Sequence, residues 1–102
     1  MKYRVFYTAR VTADVTRRID DLRKAHAAEH VIEAWFGGLF DAIDKLYDMP
    51  NRYPVDQPES ERLGYKIRKL TYRKYIIRYR VDKKSHLVFV MSFIHGARRR
   101  KA

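Results

Sequence analysis

Hydrophobic positions along the chain switch from a strand period to a helical one and back. Residues 2–8, Lys-Tyr-Arg-Val-Phe-Tyr-Thr, are rich in aromatic and β-branched side chains and predict a short strand. Thr8 or Thr12 then offers a hydroxyl to cap a helix. Inside that helix Val11, Val15, Ile19 and Leu22 recur at spacings of four, four and three, which is one apolar stripe at helical period. The stripe breaks over residues 25–30. It resumes at Val31, Trp35, Leu39, Ala42, Ile43 and Leu46, a second amphipathic helix that ends before Pro50. Gly37 and Gly38 interrupt this helix at about 1 kcal/mol each relative to alanine, and small residues there would let a neighbouring helix come close.

Residues 50–64 carry Pro50, Pro54, Pro58 and Gly64 and read as one long loop. Three strand-like segments follow. Tyr65 to Thr71 is the first. In Lys74 to Asp82 the odd positions Tyr75, Ile77, Tyr79 and Val81 are apolar and the even ones mostly basic, so period two puts the two sets on opposite faces. That alternation assigns Tyr75 and Tyr79 to the core. Asp82-Lys83-Lys84-Ser85 is a turn. His86 to Ile94 is apolar on both faces, as expected of a central, covered strand. The expected fold is α+β: a strand, a two-helix hairpin, then a three-stranded antiparallel meander, with the helices on one sheet face and Arg78 and Arg80 on the other. Gly96 ends the last strand, and residues 98–102 read as a basic tail.

At 102 residues the chain is expected to form one domain over residues 1–102. No apolar run exceeds Leu87 to Ile94, which is too short for a membrane span, and the opening residues lack a signal-peptide hydrophobic region. Cysteine is absent, which excludes disulfides, thiolate metal sites and Cys nucleophiles and fits a reducing cytoplasm. Net charge is +11, and its placement matters more than its size. Residues 1–50 hold eight basic and eight acidic side chains; residues 51–102 hold fifteen basic and four acidic. All of the excess therefore lies in the second half, where it favours a polyanionic partner.

His26-Ala-Ala-Glu29-His30 matches the inverted zinc-protease pattern H-x-x-E-H. It falls where the helical stripe breaks and no third ligand is evident, so the simpler reading is a polar turn between helices. Walker, G-x-G-x-x-G and G-x-S-x-G motifs are absent. What remains is the basic, aromatic half: Lys66, Arg68, Lys69, Arg73, Lys74, Arg78 and Arg80 interleaved with Tyr65, Tyr72, Tyr75 and Tyr79. Arginine and lysine contact phosphate, and rings stack on unpaired bases. The same residue types could also cleave RNA without a metal, through a basic group that activates the 2′-hydroxyl and an arginine on the phosphorane.

Taken in order, several segments resemble the RelE/ParE superfamily of toxins from type II toxin–antitoxin systems, also called plasmid-stabilisation proteins. They are Tyr3-Arg-Val-Phe-Tyr-Thr8 before a helix containing Asp14; Ala34-Trp35 with Leu39, Ala42-Ile43 and Leu46; and Met49-Pro50-Asn51-Arg52-Tyr53-Pro54. Gly64-Tyr65-Lys66-Ile67-Arg68-Lys69-Leu70, Tyr75-Ile76-Ile77-Arg78-Tyr79-Arg80-Val81-Asp82 and Phe93-Ile94-His95-Gly96-Ala97-Arg98 complete the set. The resemblance runs from about Tyr3 to Arg98.

It implies a toxin neutralised by an acidic, partly disordered antitoxin that folds as it wraps its partner. RelE-like members cleave mRNA on the ribosome; ParE-like members poison DNA gyrase. For a nuclease the resemblance assigns catalysis to Lys66, Arg68, His95 and Arg98. Two departures weigh against that branch: Ile76 stands where an arginine is frequent, and no aromatic residue follows Phe93. The long hairpin and the His-Gly-Ala-Arg ending look ParE-like. The favoured expectation is therefore a gyrase inhibitor that acts by binding, with Arg73, Lys74, Arg78, Arg80, Arg99 and Arg100 as target- or antitoxin-contacting residues. The alternatives are the endoribonuclease and an inactive relative that works only in an antitoxin complex. No cofactor, metal or membrane partner is expected, and a toxin–antitoxin hetero-oligomer is.

Overall fold

The computed structural model describes residues 2–96. The tail expected at 98–102 lies outside them, and with it Arg98, Arg99 and Arg100. In chain order the elements are β1 (Arg4–Tyr7), α1 (Ala9–Lys24), α2 (Glu29–Asp44), α3 (Gln57–Leu63), β2 (Arg68–Tyr72), β3 (Tyr75–Asp82) and β4 (Leu87–His95), with short 3-10 turns at Lys45–Tyr47 and Pro50–Arg52. The strands form one sheet in the order β1-β4-β3-β2, with β1 parallel to β4 and the other pairs antiparallel. The α+β architecture expected from the sequence is the one found, and β4, apolar on both faces, is a central strand.

Thr8, not Thr12, caps α1. Its Oγ1 accepts from the Val11 amide at 3.4 Å and donates to the Val90 carbonyl at 2.9 Å, so the cap also fixes the helix to the sheet. The hairpin turn comes at His26, whose φ of 63° reverses the chain; histidine tolerates this left-handed region better than most residues. Arg23 then bridges the turn to Glu29 at 3.0 Å. In α2 the inward stripe begins at Ile32, 3% exposed, and not at Val31, 49% exposed. Beyond that one-residue shift, Trp35, Leu39, Ile43 and Leu46 are buried as their spacing requires.

These side chains meet Leu70, Ile77, Tyr79, Val88, Val90 and Phe93 from one face of the sheet. Trp35 sits at the centre of an aromatic cluster, 5.6 Å from Tyr75 and 5.9 Å from Phe93, ring centre to ring centre. Tyr75 and Tyr79 are core residues, in keeping with the alternation of β3. In β4 the register against β3 slips by one residue: Arg78 faces Ser92 while Tyr79 faces Val90, which leaves Met91 as a bulge. The slip lets Val88, Val90 and Phe93 all point toward the helices.

Gly38 shows why α2 carries a glycine in its middle. A Cβ there would collide with the Tyr72 hydroxyl, which donates to the Trp35 carbonyl at 2.8 Å. The close neighbour is thus a side chain of β2 and not another helix. At Gly37 a Cβ would meet nothing within 4 Å among the described residues.

The largest departure from the sequence reading is in residues 50–64. The expected loop contains α3. Asp56 caps it by accepting from the Glu59 amide at 3.2 Å, Pro58 occupies the first turn where a missing N–H costs nothing, and Gly64 ends it at φ 82°. Read as a chain breaker, Pro58 concealed a helix start. The segment is tied to β2 by hydrogen bonds from the Asp56 amide to the Ile67 carbonyl at 2.7 Å and from the Lys69 amide to the Pro54 carbonyl at 3.0 Å. The segment thereby lies against part of the second sheet face, the one expected to be open and basic: Asp56 holds Arg78, and Glu59, Arg62 and Leu63 share a pocket with Arg78, Met91 and Ser92.

Candidate functional site

Two surfaces flank the hairpin, one apolar and one charged. The apolar one is a groove of about 240 Å³ between α1 and α2. Its floor is Val11, Val15 and Leu39, and its rim is Ile19, Phe36 and Phe40. Phe36 and Phe40 lie four residues apart on α2 with their rings 5.0 Å apart, and Phe40 remains 39% exposed. Tyr7 closes one end. Its ring is 5.4 Å from Phe40 and its hydroxyl donates to Asp44 Oδ1 at 3.0 Å. Burial, the Asp44 hydrogen bond and the Asp44 charge all hold the Tyr7 hydroxyl protonated, well above its ordinary range. A concave apolar channel along two helices is the form that accepts an amphipathic segment of a partner.

The charged residues are dispersed. Lys66 is exposed just before β2. Arg68 lies on β2 and donates from Nη1 to the Tyr53 carbonyl at 2.6 Å. These two share a pocket of about 190 Å³ with Asn51, Val81 and Lys83. His95 is elsewhere. It closes β4 opposite Tyr75, with the rings 5.4 Å apart, and lines a cleft with Arg10, Arg17 and Arg18 of α1. In register Arg68 faces Tyr79 and His95 faces Tyr75, four residues along β3, or about 13 Å at the rise of a strand. The described candidate catalytic residues therefore fall into two places, Lys66 with Arg68 and His95 apart from them.

Among the candidate contact residues, Arg73 and Lys74 form the exposed two-residue turn between β2 and β3, with Arg73 at φ 55° and its guanidinium over the Tyr72 ring. Arg80 is exposed and lies over Tyr65. Arg78 does not present itself to a partner. Its Nε donates to Asp56 Oδ2 at 2.9 Å beneath α3, and it joins a loop segment to the sheet. Burial favours the neutral form of Asp56, but the Arg78 hydrogen bond, the Glu59 amide and the Arg78 and Lys69 charges outweigh it, so the Asp56 carboxyl titrates below its ordinary range. The sequence offered one signal for this pair: Asp56 is the only acidic residue between Asp48 and Glu59. The groove rim is missed by the sequence reading, although Phe36 and Phe40 stand at i, i+4 spacing.

His26 and His30 are separated by the break between α1 and α2, so the H-x-x-E-H run does not lie on one helix face. Among the described residues no group of three His, Cys, Asp or Glu side chains could hold a metal ion, and no helix is long and apolar enough to cross a membrane.

A search of curated proteins found no matching sequence. A family model described as the ParE toxin of the type II toxin-antitoxin system, parDE, matches residues 5–100. That span begins in β1, takes in the groove, the α3 segment and all four strands, and agrees with the strand–hairpin–meander order, so the chain belongs to the ParE toxin family of type II toxin–antitoxin systems.

Proposed function

We propose that this toxin acts by binding, with DNA gyrase as its target, and that an acidic antitoxin silences it by laying an amphipathic segment in the groove between α1 and α2. Membership of a type II system implies a protein antitoxin. The observation that carries the binding mechanism is the separation of Lys66 and Arg68 from His95 by about 13 Å along β3, too far for one scissile phosphate. The apolar groove supports the antitoxin site, and the +11 charge supports an acidic partner. Inhibition of this kind needs no catalytic side chain, cofactor or metal.

One observation favours a second reading. Lys66, Arg68 and Lys83 converge on a pocket that, among the described residues, no carboxylate lines, which suits a phosphate and hence an endoribonuclease. Pulse-labelling of DNA and protein synthesis after induction in bacteria separates the readings. Early loss of DNA synthesis with translation intact supports gyrase, and early loss of translation that Lys66→Ala abolishes supports the nuclease. Normal synthesis of both refutes an active toxin and leaves a protein that works only in its antitoxin complex. For the groove, Phe40→Glu should weaken antitoxin binding at least about tenfold, because it places a charge where an apolar anchor docks.

A further inference from the structure

The second sheet face, away from the hairpin, carries a row of rings and cations that neither the groove nor the Lys66 pocket uses. Phe6 of β1 pairs in register with Phe89 of β4, and Phe89 pairs with Arg80 of β3. Their neighbours Val5, Tyr7, Val88 and Val90 point into the core, so the pleat turns Phe6, Phe89 and Arg80 outward together. The Phe6 and Phe89 rings stack at 5.8 Å and 21°. The Arg4 guanidinium lies 5.3 Å from the Phe6 ring at one end, and that of Arg80 lies 4.9 Å from the Tyr65 ring at the other. Phe6 is 39% exposed and Tyr65 37%. Among the described residues neither guanidinium is ion-paired. The carboxylate on the same strand, Asp82, accepts from the Lys84 and Ser85 amides in the turn.

From this row we infer that the face is a platform for single-stranded nucleic acid. An exposed ring on the sheet, Phe6, stacked on the half-buried Phe89 and joined by Tyr65 from the adjoining loop, is a form that takes splayed bases, and the flanking arginines meet the phosphates. A duplex hides its bases from a flat row of rings. A second copy of this chain would set Arg4 and Arg80 against like charges across a two-fold axis. An acidic peptide would satisfy the arginines and leave three rings without partners. The inference goes beyond the toxin reading and does not rest on it, because the antitoxin groove lies on the opposite side of the sheet.

The test uses the full chain and a fluorescein-labelled oligouridylate or oligothymidylate of about ten nucleotides, read by anisotropy at about 200 mM salt, where non-specific attraction is weakened. Tyr65→Ala, in a loop before β2, should raise Kd roughly 5- to 150-fold. Phe6→Leu keeps the apolar bulk and should raise Kd at least about 5-fold, with unchanged far-UV circular dichroism. Val31→Ala, at an exposed position of α2 outside both the groove and the row, should leave Kd unchanged. The inference is overturned if both aromatic variants bind like the parent, if duplex of equal length competes as well as single strand, if only arginine substitutions matter, or if the face proves to hold a second copy, as self-association that Phe6→Leu abolishes.

Discussion

The Asp56–Arg78 pair makes a quantitative claim that a single substitution tests. Asp56 is 1% exposed and Arg78 15% by side chain, so the pair is largely withdrawn from water. In Asp56→Asn the new side-chain oxygen can still cap α3, since asparagine caps as well as aspartate. The amide nitrogen, however, would face Arg78 Nε, donor against donor, and the guanidinium would lose its counter-charge. Breaking a fully buried pair costs about 3–5 kcal/mol. The partial exposure of Arg78 lets water recover some of this, so the expected loss is about 2–3 kcal/mol. For a chain of this size that is roughly 10–20 °C in Tm. Asp56→Ala removes the cap as well and should cost about 1 kcal/mol more. Urea unfolding followed by circular dichroism at pH 7 should show a lower midpoint with an unchanged slope. The double variant Asp56→Asn/Arg78→Met should recover most of the loss, because no charge is then left buried. A single variant within about 0.5 kcal/mol of the parent, or a double variant no more stable than the single, would refute the claim that this pair holds α3 to the sheet.

The two α2 glycines should respond in opposite directions. Gly37→Ala should stabilise by about 0.5–1 kcal/mol, and Gly38→Ala should destabilise because the Tyr72 hydroxyl must leave the Trp35 carbonyl; thermal melts of the two variants decide it. Tyr79→Phe leaves the buried Pro50 carbonyl without the hydroxyl that donates to it at 2.5 Å and should cost about 1–2 kcal/mol by chemical denaturation. Because the folded Asp56 carboxyl titrates below its unfolded value of about 3.9, its contribution is fully present above that value and is lost as pH falls through the folded one. Tm measured from neutral pH down to about pH 2 should therefore fall more steeply in the parent than in Asp56→Asn, and parallel curves would contradict the assignment.

What could be read from the sequence was whatever repeats. The stripe Val11, Val15, Ile19 and the alternation Tyr75, Ile77, Tyr79 each report a face because burial selects residues at the period of the backbone. The same regularity fixed the order of the strands and of the two long helices, but not α3. Single decisions were less visible. Val31 and Ile32 are both apolar, and only the neighbouring packing selects Ile32 for the core. Pro58 marks a helix start as readily as a loop, and the Asp56, Glu59 and Gly64 spacing that resolves it is a capping pattern over so short a helix that it has no stripe. Gly38 answers a tyrosine thirty-four positions away. Arg78 reads as an exposed cation on an alternating strand until Asp56 arrives from outside the strand. The candidate site shares this limit: the residue types of Lys66, Arg68 and His95 are evident along the chain, but only the pairing of β2, β3 and β4 shows that they lie at different ends of the sheet.

The parallel pairing of β1 with β4 has a consequence for the order of synthesis. Arg4 faces Leu87, and the Thr8 hydroxyl that starts α1 donates to the carbonyl of Val90. The earliest strand described thus waits for the latest, across more than eighty residues. A nascent chain that stops short of Leu87 has neither the neighbour that completes its sheet nor the acceptor that anchors its first helix. Contacts this far apart in sequence close slowly. Any surface that depends on β1 and β4 together, the groove end at Tyr7 and the Phe6–Phe89 row alike, therefore comes into existence only once β4 has been translated.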